Sequence, residues 1–272
     1  MSIKVYPSLS NKVDKKIKLI DENKMMPPFR TVLTGPTSSG KSNFIKNVLF
    51  NKQFKYCKYM DEIYVFCASK DDLIEYKNWA IKENIDKKFK FMDKYDDEAV
   101  KELIDSIETD NIKRKNPQRV LIVLDDQICN NVSSRSKLNA VDEIFIRGRH
   151  ANISVIISTQ KYKALSNNMR VLNVSNVVIF NGTNSNDLDA IASEHANTLS
   201  KDEVERLIKD HIDKPYSFVM INYKHTPEKR FQDSNFKVIN LDKYKNKSDI
   251  KNKNDNEDIE EDEPTEGTVE AS

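Results

Sequence analysis

The stretch that most constrains the fold of this chain is GPTSSGKS, residues 35–42, which matches the pattern G-x-x-x-x-G-K-[ST]. It follows an apolar run at 30–34 that is typical of a β-strand, and it precedes NFIKNVLF, which has the spacing of a helix. In that context, backbone N–H groups and the positive end of the helix converge on phosphate. The sequence therefore predicts a nucleotide-binding loop made of Gly35, Pro36, Thr37, Ser38, Ser39, Gly40, Lys41 and Ser42.

Each end of this loop has a predicted role. Lys41 is expected to reach the terminal phosphates of the nucleotide, and the Ser42 hydroxyl is expected to bind Mg²⁺. The whole chain contains only five glycines, and two of them, Gly35 and Gly40, lie in this loop. Because the chain rarely uses glycine elsewhere, the pair indicates backbone positions that need its conformational freedom.

Apolar runs alternate with helical patterns along the chain, and this alternation is typical of an α/β fold. The predicted strands are 30–34, 62–67, 119–124, 153–158, 176–180 and 217–222. The predicted helices are 41–51, 70–83, 96–109, 136–148, 162–173, 185–195 and 200–211, the last beginning with a Ser200–Glu203 capping box. The strands are mostly apolar on both faces, which predicts a mostly parallel sheet covered by helices on both sides.

A second motif, VLIVLDDQ at 120–127, has the form of a Walker B strand that ends in two acids and lies beside the phosphate loop. Asp125 is expected to hold the Mg²⁺. Asp126 would position or deprotonate the attacking water, which favours hydrolysis over phosphoryl transfer to a small molecule. In the alternative interpretation, Asp126 is a loop acid that caps the next turn.

A third stretch, RGRHANISVIISTQ at 147–160, leads into an apolar strand that is expected to lie next to the strand of the phosphate loop. Gln160 at its end would sense the γ-phosphate or orient water, unless it is only the polar end of the strand. Arg147 and Arg149 precede the strand. In a ring, one of them could act as an arginine finger on a neighbouring subunit's nucleotide; otherwise they form salt bridges or contact DNA.

Together, PPFRTVLTGPTSSGKS, VLIVLDDQ and RGRHANISVIISTQ resemble the poxvirus-type genome-packaging ATPases of large DNA viruses and virophages, in the FtsK–HerA superfamily. The resemblance covers about 27–225. It implies a RecA-like core, assembly of a homo-oligomeric ring around double-stranded DNA, and ATP-driven packaging of a genome into a capsid, with capsid or portal-vertex proteins as partners. It also implies a location in the host cytoplasm, at the virus factory, or in the virion.

Residue by residue, the resemblance places Lys41 and Ser42 at the Walker A positions, Asp125 at the Mg²⁺ position and Gln160 at the sensor position. Asp126 stands where many members of the superfamily carry Glu, so the acid is kept on a shorter side chain. The resemblance does not assign the arginine finger to one residue, because three arginines are available. They are Arg147, Arg149 and Arg170.

The net charge of +1 conceals two oppositely charged parts. The segment 246–272 carries ten acids against three lysines, which leaves 41 basic and 33 acidic residues in 1–245, a net charge of +8. A basic body suits a polyanion such as DNA, although abundant lysine also serves solubility. We expect a polar lead-in at 1–26, an ATPase domain at 27–245 and a disordered acidic tail at 246–272. No apolar run is long enough for a membrane span and no secretory signal is visible, so a soluble protein that is not secreted is expected.

Three other functions remain open from the sequence. A helicase or chromosome-segregation ATPase would use the same motor chemistry on other partners. A nucleotide kinase would share the phosphate loop, but the paired acids and Gln160 argue against it. A nucleotide-gated scaffold would bind ATP and hydrolyse little of it. Loops 129–137 and 161–170 are candidates for DNA contact, with a solvated surface loop as the alternative for each.

Overall fold

A computed structural model describes residues 20, 22–54, 56–126 and 139–245. The predicted tail at 246–272, most of the predicted lead-in, and the candidate DNA loop at 129–137 lie outside the described residues. Within the described part of the chain, no helix combines the length and the apolar character that crossing a membrane requires.

The strands form one sheet of eight in the order β3-β2-β4-β5-β1-β6-β7-β8. Their bounds are β1 (Arg30–Thr34), β2 (Glu62–Cys67), β3 (Phe89–Met92), β4 (Val120–Asp125), β5 (Ile153–Thr159), β6 (Asn176–Phe180), β7 (Phe218–Asn222) and β8 (Phe231–Gln232). The first six are parallel, whereas β7 pairs antiparallel with β6 and β8 antiparallel with β7. The predicted α/β architecture with a mostly parallel sheet is confirmed.

Helices cover both faces of the sheet. They are α1 (Lys41–Phe50), α2 (Tyr56–Tyr59), α3 (Lys70–Lys82), α4 (Asp97–Lys113), α5 (Ala140–Arg147), α6 (Ser185–His195) and α7 (Lys201–His211). Helices α1 and α3 pack their apolar side chains on one face, and α4 to α7 pack theirs on the other. Strand β4 is buried along its whole length, because helices cover it on both sides.

The strand order brings the motifs to one edge of the sheet. Strand β1 lies in the middle, with β5 on one side and β6 on the other. The carboxyl ends of β1, β4 and β5 therefore share an edge, which we call the carboxyl edge, and the opposite edge is the amino edge. The expectation that the strand leading to Gln160 lies next to the strand of the phosphate loop is confirmed, because β5 pairs with β1, and β4 follows on the other side of β5.

The prediction of a helix over 162–173 was wrong. The segment forms a 3₁₀ turn at Tyr162–Ala164 and a short π-helix at Asn168–Leu172. At the start of the segment, the backbone N–H groups of Tyr162 and Lys163 donate to the Asp187 carboxylate at 3.1 Å each. Ser166 then divides the segment, because its Oγ accepts the backbone N–H of Met169 and so begins a separate turn.

The remaining helices and strands include one confirmed cap, one shifted helix start and two strands that the sequence did not predict. The capping box at Ser200 and Glu203 is confirmed at the start of α7. Helix α5 begins at Ala140, where the Asn139 side chain caps it. The short strands β3 and β8 were missed, because four and two residues give too little periodicity to recognise. Met25, inside the predicted lead-in, is fully buried in the core.

Candidate active site

The phosphate loop connects β1 to α1 and depends on both of its glycines. Gly40 has a φ of 110°, which disfavours any side chain. A Cβ at Gly35 would lie 2.8 Å from the Cβ of Phe180 and 2.8 Å from the Oγ of Ser39, too close for either to tolerate. Between the glycines, Ser38 also has a positive φ of 62°. The chain thus turns tightly enough to direct successive N–H groups inward.

Lys41 lies across the interior of the loop. Its side chain is buried, and its ammonium group donates to the carbonyl oxygens of Gly35 and Pro36, both at 2.8 Å. Ser39 presents a buried Oγ that has no hydrogen-bond partner among the described residues. A buried donor without a partner is costly, and a phosphate oxygen would satisfy it. The loop therefore fits a bound polyphosphate.

Asp125 ends β4 as a buried carboxylate surrounded by hydroxyl groups. Its Oδ1 accepts a hydrogen bond from the Ser158 Oγ at 2.6 Å, and its Oδ2 accepts one from the Tyr76 hydroxyl at 2.8 Å. Ser42 also hydrogen-bonds to it. Burial nevertheless raises the pKa of Asp125, against the effect of these bonds. A divalent cation would relieve that cost, so Ser42 and Asp125 fit the Mg²⁺ position that the sequence predicts.

Asp126 and Gln160 meet at the carboxyl edge, beyond the ends of β4 and β5. Asp126 has a left-handed φ of 52°, and its N–H donates to the Ser158 Oγ at 2.9 Å. The Gln160 Nε2 lies 3.4 Å from the Asp126 Oδ2, to which it donates. The structure thus joins the two residues that the sequence predicted to handle the attacking water.

Two residues of this site were not assigned a role from the sequence. Ser158 lies near the end of β5, where its hydroxyl donates to Asp125 and accepts the backbone N–H of Asp126. Its signal was present, because it interrupts an apolar strand just before Gln160. Tyr76 gave no such signal, since its position on α3 matches the ordinary spacing of a buried aromatic.

The predicted arginine candidates lie in different surroundings. Arg147 is held inside the subunit by three carboxylates. They are Asp105 at 2.6 Å, Glu108 at 2.7 Å and Glu143 at 2.9 Å. These partners, chiefly the hydrogen bond to Asp105, raise the pKa of Arg147. Arg170 is also held, by an ion pair with Glu194. Both guanidinium groups therefore serve packing within the subunit.

Arg149 is different, because it is exposed and makes no ion pair or side-chain hydrogen bond with any residue that the structure describes. Its neighbours are cations. Burial first, and then the charge of Arg149, lowers the pKa of both Arg30 and Lys224. Lys224 reaches this place because β7 runs antiparallel and ends at the amino edge. We call Arg30, Arg149 and Lys224 the basic cluster.

The family comparison agrees with this geometry. A family model described as "Poxvirus A32 protein" matches residues 17–248. The chain belongs to this family. The match includes the phosphate loop, the Asp125–Asp126 pair and the strand that leads to Gln160. It confirms the resemblance to packaging ATPases, and membership together with the complete phosphate-loop site identifies the chain as an ATPase. The search of curated proteins gave no significant match.

Solved structures show the same fold. The genome packaging NTPase B204 from Sulfolobus turreted icosahedral virus 2, in complex with AMP, is 18% identical and has a TM-score of 0.55; the match covers 75% of this chain and 100% of that one. The same protein with AMPPCP is 19% identical with a TM-score of 0.53, covering 73% and 95%. The DNA-packaging ATPase B204 from Sulfolobus turreted icosahedral virus is 20% identical with a TM-score of 0.53, covering 74% and 95%. This family member therefore has the fold of those enzymes.

Proposed function

We propose that the chain is an ATP-driven motor that moves double-stranded DNA into a viral capsid. The observation that carries the proposal is the joining of Lys41, Asp125 and Asp126 at one sheet edge in a member of the poxvirus A32 protein family. The B204 proteins of similar fold are described as genome-packaging enzymes, with AMP and AMPPCP bound in two of the structures. ATP is thus the expected fuel.

Each residue at the carboxyl edge has a separate role in ATP hydrolysis. Lys41 stabilises charge on the terminal phosphates, and Ser42 with Asp125 would hold Mg²⁺. The metal ion would neutralise charge on the β- and γ-phosphates. Asp126 accepts a proton from the attacking water or orients it, and Gln160, bonded to Asp126, carries the change to the loop that follows.

The basic cluster supports assembly into a ring. The amino edge carries the three cations of the basic cluster, whereas the carboxyl edge of a second copy would present the phosphates of ATP. Contact between two different surfaces is head-to-tail, and such contacts form a ring when the rotation between subunits closes. In this arrangement, Arg149 of one subunit stabilises the transferring phosphoryl group in its neighbour as an arginine finger.

DNA is expected in the centre of the ring. The body at 1–245 has a net charge of +8. Lys161 and Lys163 are exposed directly after Gln160, so a change at the nucleotide can reach a basic loop. Contacts of lysine with the phosphate backbone make binding independent of sequence and sensitive to salt. Capsid or portal-vertex proteins are the remaining partners, which places the chain at sites of virion assembly.

The test is ATP hydrolysis by the full chain with and without long double-stranded DNA, at about 50 and 200 mM salt, with the assembly mass measured in parallel. The proposal predicts a multimer whose ATPase rate rises with duplex DNA and whose stimulation falls at higher salt. A monomer whose ATPase rate does not change with duplex DNA would contradict the proposal. Transfer of phosphate to a nucleoside instead of water would support the kinase alternative.

A further inference from the structure

A cleft of about 280 Å³ opens beside the phosphate loop, at the amino end of α1. Gly40, Asn43, Asn47, Tyr216 and Phe236 are among the residues that line it. Gly40 belongs to the phosphate loop as well, so the cleft begins where the loop ends. None of the residues assigned to hydrolysis lines it.

Tyr216 is placed unusually for a tyrosine. It is 66% exposed and has a positive φ of 64°, a backbone conformation that bulky side chains rarely adopt. Its ring lies against the loop, because a Cβ at Gly40 would be 3.3 Å from the Cδ1 of Tyr216. Strain of this kind persists where the surroundings impose it, and it is concentrated at ligand sites. An uncovered aromatic ring therefore stands directly beside the glycine of the phosphate loop.

The rest of the cleft offers an aromatic base and a polar rim. Phe236 also has a positive φ, of 61°, and packs against Phe44 and Phe218 with ring centroids 6.3 and 5.7 Å apart. At the rim, Asn43 follows Ser42 directly and is exposed. Its side-chain amide has no hydrogen-bond partner among the described residues, so it can both donate and accept.

We propose that this cleft binds the base of the nucleotide, with the base stacked on Tyr216 and the Asn43 amide bonded to a polar edge of the base or ribose. The inference rests on the proposed ATPase function. The phosphates held by Lys41 and Ser42 fix one end of the nucleotide, and the cleft begins within the same loop. Flat aromatic side chains recognise a base by its face, and purines present the larger face. The site therefore prefers purines to pyrimidines.

The test compares a ligand with a base to one without. Binding of ATP, CTP and inorganic tripolyphosphate is measured by calorimetry on the full chain. Tyr216→Asn removes the ring, and asparagine tolerates a positive φ, so the loop is expected to keep its shape. Tyr216→Phe keeps the ring and removes the hydroxyl. Leu172→Asn, at a residue that is 65% exposed and outside the cleft, is the control.

We expect Tyr216→Asn to weaken ATP binding by about ten-fold, the effect of losing one stacked base, while tripolyphosphate binding stays unchanged. Tyr216→Phe and Leu172→Asn should bind both ligands as the unaltered chain does, and that chain should bind ATP more tightly than CTP. Equal losses for ATP and tripolyphosphate, or no loss for ATP, would overturn the inference. A chain that binds neither ligand would overturn the proposed function as well.

Discussion

The two edges of the sheet differ in how their charged groups are satisfied. At the carboxyl edge, Asp125 and Asp126 receive hydrogen bonds from Ser158 and neighbouring side chains of the same subunit. At the amino edge, Arg149 forms no ion pair with any described residue, and burial together with the charge of Arg149 lowers the pKa of Arg30 and Lys224. The charged groups of one edge are thus paired within the subunit, whereas at the other edge Arg149 is exposed and accessible to an anion. A neighbour's nucleotide would supply that anion.

Two arginines that lie only two positions apart test this contrast with the largest expected effect on kcat. Arg149→Ala is expected to lower the kcat for ATP hydrolysis by about 10³-fold, the effect of removing an arginine finger. Arg147→Ala should leave kcat within about three-fold, because Arg147 is paired inside the subunit. Since its side chain is 33% exposed, the change should cost about 1 kcal/mol of stability or less. The rates are measured under saturating ATP, with denaturation curves for both variants. Equal kcat losses would contradict the distinction.

Replacement of Asp126 tests the role assigned at the carboxyl edge. Asp126→Asn keeps the shape of the side chain and its capacity to accept from Gln160, but removes the basic carboxylate. We expect kcat to fall by about 100-fold, as for the loss of a general base, while ATP binding measured by calorimetry remains within about two-fold. Unchanged kcat would assign Asp126 to the alternative role of a cap.

Strand β5 carries a serine near each edge, and the two provide a matched pair. Ser158 binds Asp125 and Asp126 at the carboxyl edge, whereas Ser154 accepts the backbone N–H of Phe29 near the amino edge. Ser158→Ala should raise the Mg²⁺ concentration for half-maximal hydrolysis by about ten-fold, because Asp125 loses a bond that orients it. Ser154→Ala should affect stability alone. A titration of Mg²⁺ at fixed ATP checks both, and equal Mg²⁺ curves would contradict the orienting role.

A buried histidine at the end of α6 predicts a smaller, pH-dependent effect. His195 contacts the hydroxyl groups of Tyr162 and Tyr223, and burial, aided by Arg230 and Arg170, lowers its pKa to about 4. The unfolded chain binds this proton near pH 6.5 and the folded chain does not until about pH 4. The free energy of unfolding should therefore fall as the pH drops through this window.

At pH 5, the His195 contribution should have decreased by about 2 kcal/mol relative to pH 7. The measurement is urea denaturation of the unaltered chain and of His195→Asn at both pH values, since other groups titrate equally in the two. The difference between the proteins should shrink or reverse at pH 5. A difference that does not change with pH would contradict the assignment.

The sequence predicted the carboxyl edge better than the amino edge, for a physical reason. Each residue of the phosphate loop and of the Asp125–Asp126 pair lies in a short contiguous motif, so local spacing is sufficient to place it. The basic cluster instead collects residues 30, 149 and 224, and Lys224 arrives only because β7 runs antiparallel. Strand direction depends on long-range pairing, which periodicity does not reveal.

Contacts with residues far away in the sequence also give similar-looking residues different surroundings in the structure. Arg147 and Arg149 look equivalent in RGRHAN, yet acids from α4 and α5 surround the first alone. The sequence does not identify Tyr216 as a site residue, because Tyr216 lies beside the phosphate loop only through its contact with Gly40, which is 176 positions earlier.

The claim that the two edges meet across subunits is tested most directly by mixing two inactive variants. Lys41→Ala loses its own phosphate site but keeps Arg149, and Arg149→Ala keeps the site but lacks the finger. Each alone should hydrolyse ATP at under about 1% of the unaltered rate. In an equal mixture that mass measurement shows to form mixed assemblies, random assortment restores about a quarter of the interfaces. Recovery of ATPase activity on mixing is the predicted result, and mixed assemblies as inactive as their parents would contradict the account.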